Sequence, residues 1–219
     1  MFRKCIIPPL LLAIVISLAA CGPREVTFPD QNLEEAVREA IAKPEGPVLT
    51  SDLVKLLHLT APERLISDLT GLEYCTNLTM LSLSENQITD ISPLAALSKL
   101  TLLSLKDNQV NDISPLASLT KLTNLYLEGN RINDISALSP MTKLTVLWLE
   151  DNQISDISPL ASLNNIAWLY LGNNQISDIS PLVSLTKLHI LKLEGNPLSS
   201  TSVDVSIQQL RLRGVDVRW

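Results

Sequence analysis

Asparagine returns every 22 residues at Asn86, Asn108, Asn130, Asn152, Asn174 and Asn196. A fixed period of this size confines the chain to an array of stacked supersecondary units. The same apolar frame travels with each asparagine: Leu78, Leu81, Leu83, Ile88, Ile91, Leu94 and Leu97 around Asn86, then Leu100, Leu103, Leu105, Val110, Ile113, Leu116 and Leu119 around Asn108. Counting backwards finds a degenerate first coil with Leu56, Leu59, Ala61, Ile66, Leu69 and Leu72, where Arg64 stands in the asparagine position.

The frame dictates local structure. Leu81 and Leu83 alternate with Met80, Ser82 and Ser84, the period of a strand with one buried face. One strand per coil, stacked, makes a parallel sheet. The asparagine amide carries both donors and an acceptor, so a buried ladder of them serves the backbone groups exposed at each turn. Asp90-Ile91-Ser92-Pro93-Leu94 and its copies open the return side. There Ser is expected to cap, and Pro to begin, a short helical or 3-10 turn. The coil Ala137-Leu138-Ser139-Pro140 has its proline displaced and should be irregular. Only 4% of the chain is aromatic against 46% apolar overall, which fits a core of Leu, Ile and Val.

Solenoid ends need closure. Asp30 precedes Leu33, Ala36, Val37, Ala40 and Ile41, spaced as an amphipathic helix, and a second short helix is expected near Ser51-Asp52. Val203, Ile207 and Leu210 share a helical face before Gly214, and Val215, Val217 and Trp219 alternate as a closing strand. The fold expected is therefore an α/β solenoid with a parallel sheet, a helical N-terminal cap over 27–55, repeats over 56–199 and a helix-plus-strand C-terminal cap over 200–219.

The N-terminus reads as an address. Arg3-Lys4, an apolar run from Cys5 to Leu18 and small Ala19-Ala20 make 1–20 a secretory signal. Leu18-Ala19-Ala20-Cys21 resembles the bacterial lipobox. That resemblance implies cleavage before Cys21, a lipid on its sulfur and a membrane anchor through the short tether 21–26. An ordinary secretory signal ending near a cysteine is the alternative. The expected location is extracytoplasmic. It is the outer membrane if the cell has two, since Gly22 lacks the aspartate retention signal of well-studied bacteria. Cys75 takes the place of Leu97 and Leu119 in the frame, so it is expected as a buried small hydrophobe.

The repeat Asn-Gln-Ile-Ser-Asp-Ile-Ser-Pro-Leu-Ala-Ser-Leu at 152–163 resembles the internalin-type leucine-rich repeats of bacterial surface proteins. Phe28-Pro29-Asp30 and the ending from Asn196-Pro197-Leu198 to Gly214-Val215 resemble the caps of such arrays. The resemblance implies a horseshoe whose concave strand face binds proteins. The sequence ends at Trp219 with no immunoglobulin-like extension or wall-sorting signal, so a host-invasion role is not implied.

Residues between the buried leucines should face that concave surface in three columns. The first runs Met80, Leu102, Asn124, Val146, Trp168, Ile190, and the middle one Ser82, Ser104, Tyr126, Trp148, Tyr170, Lys192. The third runs Ser84, Lys106, Glu128, Glu150, Gly172, Glu194. The chain has three tryptophans and three tyrosines, and four of these six fall in the columns. Tyr126, Trp148 and Tyr170 form a strip widened by Trp168, the amphipathic aromatic type that anchors interfaces. Glu128 and Glu150 are lateral neighbours of like charge, which is destabilising unless a cation faces them. Lys106 is placed to answer Glu128; a partner's Lys or Arg is placed to answer Glu150, with Asp151 beside it. Lys192 closes the strip.

Function follows from these columns and from what the chain lacks. With 17 basic and 23 acidic residues the net charge is −6, or −8 without Arg3 and Lys4, which argues against nucleic acid. No Cys/His cluster, Gly-rich phosphate loop or His beside a nucleophile appears, so no metal, cofactor or catalysis is expected. The glutamates are expected on an open face without the enclosure that raises a carboxyl pKa. The reading is a membrane-anchored binder of a protein or peptide. A polysaccharide ligand or a structural envelope role are the alternatives.

Overall fold

A computed structural model describes residues 22–219; residues 1–20, read above as a secretory signal, and Cys21 lie outside the described residues. Eight three-residue strands stack in sequence order as one parallel sheet: β1 His58–Thr60, β2 Met80–Ser82, β3 Leu102–Ser104, β4 Asn124–Tyr126, β5 Val146–Trp148, β6 Trp168–Tyr170, β7 Ile190–Lys192 and β8 Asp216–Arg218. From β1 to β7 the register advances by one 22-residue period per strand, so Leu81, Leu103, Leu125, Leu147, Leu169 and Leu191 lie side by side. All are fully buried. Successive side chains of a strand point to opposite faces, and the columns between these leucines are thereby turned outward on the sheet's open face.

The asparagine ladder makes the stacking obligatory. The Asn108 amide nitrogen donates to the carbonyls of Leu105 and Lys106 in its own coil (both 3.1 Å) and of Leu83 in the preceding one (3.0 Å). Its oxygen accepts the Ile88 N–H at 3.0 Å. Each rung thus satisfies backbone groups in two coils, and losing this one leaves the Ile88 N–H unpaired in the core.

The return side is built from 3-10 turns at Ser92–Ala96, Ser114–Ser118, Ser136–Leu138, Ser158–Ser162 and Ser180–Ser184. The displaced proline leaves Ser136–Leu138 two residues shorter than its neighbours, as expected. The capping differs from expectation. Asp90, not Ser92, does the accepting: its two carboxylate oxygens take the Ser92 N–H (2.8 Å) and the Ser92 hydroxyl (3.0 Å). Asp112, Asp156 and Asp178 repeat this with Ser114, Ser158 and Ser180. An aspartate two residues back reaches the first free N–H by an Asx turn, so serine becomes a donor inside the turn.

The ends are stitched to the repeats by polar contacts. Helix α1, Gln31–Ala40, starts at Asp30, whose Oδ1 accepts Leu33 N–H at 3.0 Å. Its Oδ2 accepts the N–H groups of Ser67 (2.7 Å) and Asp68 (3.2 Å) in the first coil. Burial alone would raise the Asp30 carboxyl, but these amide donors outweigh it and hold it below its ordinary value. Arg64, in the asparagine position, clasps Glu39 of α1 with both guanidinium nitrogens (3.1 and 2.6 Å). The short helix α2, Thr50–Leu53, follows.

At the far end a π-helical segment Ser202–Ile207 runs into α3, Gln208–Leu212. Val215 and Val217 are buried, but Trp219 is exposed and lies on the Arg211 guanidinium (4.1 Å) rather than continuing their inward alternation.

Cys75 is fully buried in the apolar column, and burial pushes its thiol up to about 12. It should therefore react with thiol reagents only as fast as the array unfolds. Timed alkylation followed by peptide mass mapping checks this; rapid labelling of Cys75 under native conditions would contradict it.

Candidate functional site

Strands β4 to β7 bring Tyr126, Trp148, Tyr170 and Lys192 into one continuous row, paired residue to residue across the sheet. The rings pack on one another. Tyr126 and Trp148 meet edge to face (centroids 5.1 Å, 87°), and Trp148 and Tyr170 are tilted at 40° (4.9 Å). The Lys192 ammonium sits 4.3 Å above the Tyr170 ring, a cation–π contact. This mutual packing leaves the three rings half-buried. Trp168, in the adjacent column between Val146 and Ile190, is 48% exposed. It is therefore the aromatic most available to a partner.

The acidic column lies beside this row. Gly129 N–H donates to the Glu150 carbonyl at 3.0 Å and Leu127 N–H to the Trp148 carbonyl at 2.9 Å, so the ladder continues past β4 and β5. It holds Glu128 and Glu150 about 4.8 Å apart at the backbone. Here the structure corrects the sequence reading. Glu128 is buried, only 9% exposed, and desolvation raises its carboxyl to about 6. Its own backbone N–H and the charge of Lys106 oppose the rise; Glu150 and Asp107 add to it. Glu150 is raised too, chiefly by desolvation, with Asp151 and Glu194 adding and Lys192 and Lys106 opposing.

Lys106 does not reach Glu128 as expected. Its nearest carboxylate partner is Asp107, at 3.5 Å. Among the described residues no cation lies within 4 Å of Glu128, Glu150 or Glu194. Two buried polar atoms on this face have no hydrogen-bond partner: Glu128 Oε2 and Trp148 Nε1. Asp151 is placed apart, at the strand end with left-handed backbone (φ 56°), accepting from the Asn173 amide at 2.8 Å.

Two features were missed as site residues although the frame holds them. Gly172 occupies the acidic column between Glu150 and Glu194. A Cβ there would lie 3.6 Å from Glu150 Cγ and 3.3 Å from the Glu194 backbone carbonyl, so the glycine is what lets the next coil and the Glu150 side chain approach this closely. Glu194, the next residue of the column, is exposed.

Other chemistry is sparse. Among the described residues no group of three or more His, Cys, Asp or Glu is placed to hold a metal ion, and no helix is long and apolar enough to cross a membrane. The two histidines, His58 and His189, are exposed and lie on different coils.

Comparison with known proteins follows this geometry. The family model described as leucine-rich repeats in two copies matches residues 76–118, 98–140, 120–162 and 164–205. Among curated proteins none matches the sequence. The solved structure of an internalin (inlF) of Listeria monocytogenes is 32% identical with TM-score 0.72, covering 91% of this chain and 66% of that one. Internalin C2 of the same organism is 34% identical with TM-score 0.68, covering 90% of this chain and 96% of that one. A plant peptide hormone receptor in complex with its ligand is 29% identical with TM-score 0.53, covering 58% of this chain and 22% of that one. Proteins of this fold commonly bind other proteins and are typically scaffolds without catalysis. The repeat match, the sheet topology and the internalin neighbours agree: the chain belongs to the leucine-rich repeat family and is internalin-like.

Proposed function

We propose that this protein is a membrane-anchored, extracytoplasmic binder that takes a protein or peptide on its open sheet face. The observation that carries the reading is the concentration of aromatic and charged side chains on that face, with Trp168 projecting beside the Tyr126–Trp148–Tyr170 row. Exposed Trp and Tyr surrounded by charged groups are the usual anchors of protein interfaces. The receptor–ligand neighbour is consistent with a peptide as well as a folded partner.

Trp168→Ala is the sharpest test, because that ring is exposed and is not packed in the aromatic row. Affinity for a partner captured from the source cell's envelope should fall at least about tenfold, with folding unchanged by circular dichroism. The double variant Trp148→Ala, Tyr170→Ala should abolish capture. Unchanged capture by both would move the reading to a scaffold role or another surface.

Anchoring is proposed through a lipid on Cys21. Backbone pairing begins three residues later: Thr50 N–H donates to the Arg24 carbonyl at 2.8 Å and Val26 N–H to the Val48 carbonyl at 2.8 Å. A lipid on Cys21 would thus hold the N-terminal cap against the bilayer surface. Cys21→Ser should move the protein from the membrane to the soluble fraction, and retention in the membrane pellet would contradict the anchor.

A further inference from the structure

The open face carries a charge imbalance that the protein does not resolve internally. Glu128, Glu150 and Glu194 share one column, with Asp107 and Asp151 at its margin. Two lysines face them, and each has another nearest partner: Lys106 lies by Asp107 (3.5 Å) and Lys192 over the Tyr170 ring (4.3 Å). Adjacent like charges on a sheet are unfavourable. A buried carboxylate oxygen without a donor is more so. Glu128 Oε2 is such an atom, and Trp148 Nε1, in the next coil, is a buried donor without an acceptor. A donor-bearing cation and a backbone carbonyl would answer both.

We propose that the open face recognises a basic segment of its protein partner, seating an arginine or lysine between Glu128 and Glu150 against the Trp148 ring. This rests on the protein-binding reading above and specifies what the partner must present. Lys192 already shows the aromatic row holding an ammonium on a ring face, the arrangement a partner's cation would repeat. A neutral sugar would satisfy the orphan donor and acceptor but leave the paired carboxylates unneutralised. The edge-to-face meeting of Tyr126 and Trp148 also offers no coplanar platform for a sugar ring.

The test uses the full chain and synthetic hexa-arginine, with hexa-glutamate and a neutral glucan oligosaccharide as comparisons, at physiological salt and pH 7.5. Tryptophan fluorescence and calorimetry report binding. Hexa-arginine should bind and the other two should not. Neutralising the pair with Glu128→Gln, Glu150→Gln should weaken it by about tenfold or more. Neutralising exposed Glu35 and Glu45 on the N-terminal cap in the same way should change it less than about twofold. Binding should also weaken between pH 7.5 and pH 5 in the parent and not in the Gln pair. Lys106, Asp107, Asp151, Lys192 and Glu194 also face the site, and the dependence is assigned to Glu128 and Glu150, whose carboxyls burial raises toward that range.

Equal weakening by the two neutralised pairs would reduce the effect to net charge and overturn the proposal. So would binding of the glucan, or no binding of hexa-arginine. A protein partner whose capture depends on Trp168 but not on Glu128 and Glu150 would overturn the cationic seat alone. Absence of any Trp168-dependent partner would instead strike the protein-binding reading beneath it.

Discussion

Asn108→Ala is expected to destabilise the array by about 3–4 kcal/mol, at roughly 1 kcal/mol for each hydrogen bond lost. The arithmetic comes from the rung itself. Four bonds disappear together: the Ile88 N–H loses its only partner, while the carbonyls of Leu83, Leu105 and Lys106 each lose one of two donors and keep the Asn86 amide, the Asn130 amide and the Glu85 N–H. Water cannot substitute without opening the turn, because Asn108 is only 8% exposed. Since its bonds join two coils, the interface between them weakens, and a solenoid's stability is largely the sum of such interfaces. Asn196→Ala is the matched comparison. That last rung makes three such bonds in a more open position, donating to the Leu171 and Leu193 carbonyls and accepting the Ile176 N–H. Its loss should cost about half as much. Urea unfolding of both variants decides the matter; equal losses, or a loss under about 1 kcal/mol at Asn108, would show that the ladder is not what couples the coils.

What was legible in the sequence, and what was not, divides along the direction of the interactions. Positions such as Leu81, Asn86 and Ile91 each answer to a constraint repeated in every coil, so the period alone assigns them to core, ladder and turn. The three outward columns follow from strand alternation in the same way. The capping of the return turns was misassigned to Ser92 because Asp and Ser are both good acceptors at a helix start. Only the geometry shows that Asp90 reaches the free N–H first. Glu128 lies beyond sequence reasoning for a different cause. The column it stands in changes from coil to coil, Lys106, Glu128, Glu150 and then Gly172, and no periodic rule encodes how such unlike side chains settle. Gly172 was visible in the column, but how closely the Glu194 backbone and the Glu150 side chain approach it shows only when those atoms are placed.

Glu128→Gln should stabilise the folded protein at pH 8, by about 1 kcal/mol, while weakening the binding of a basic partner. The sign follows from its proton affinity. Burial raises the carboxyl from its ordinary 4.5 to about 6 in the folded state. The native protein thus holds the proton more tightly than the unfolded chain. Its favourable contribution is complete below about pH 4.5 and is lost as pH rises through about 6, leaving the ionised group as a burden at higher pH. A gap of that size corresponds to about 2 kcal/mol at most. The glutamine amide recovers only part of it, since its own N–H donors enter a site where Oε2 had no partner. Urea unfolding of parent and variant at pH 8 and pH 4.5 measures the difference. The advantage of the variant should vanish or reverse at the lower pH. Equal stability at both would mean that the Glu128 charge is already satisfied within the fold. A gain at pH 8 would show instead that the protein carries an ionised, unpaired carboxylate on its open face, a cost that a cationic partner relieves on binding.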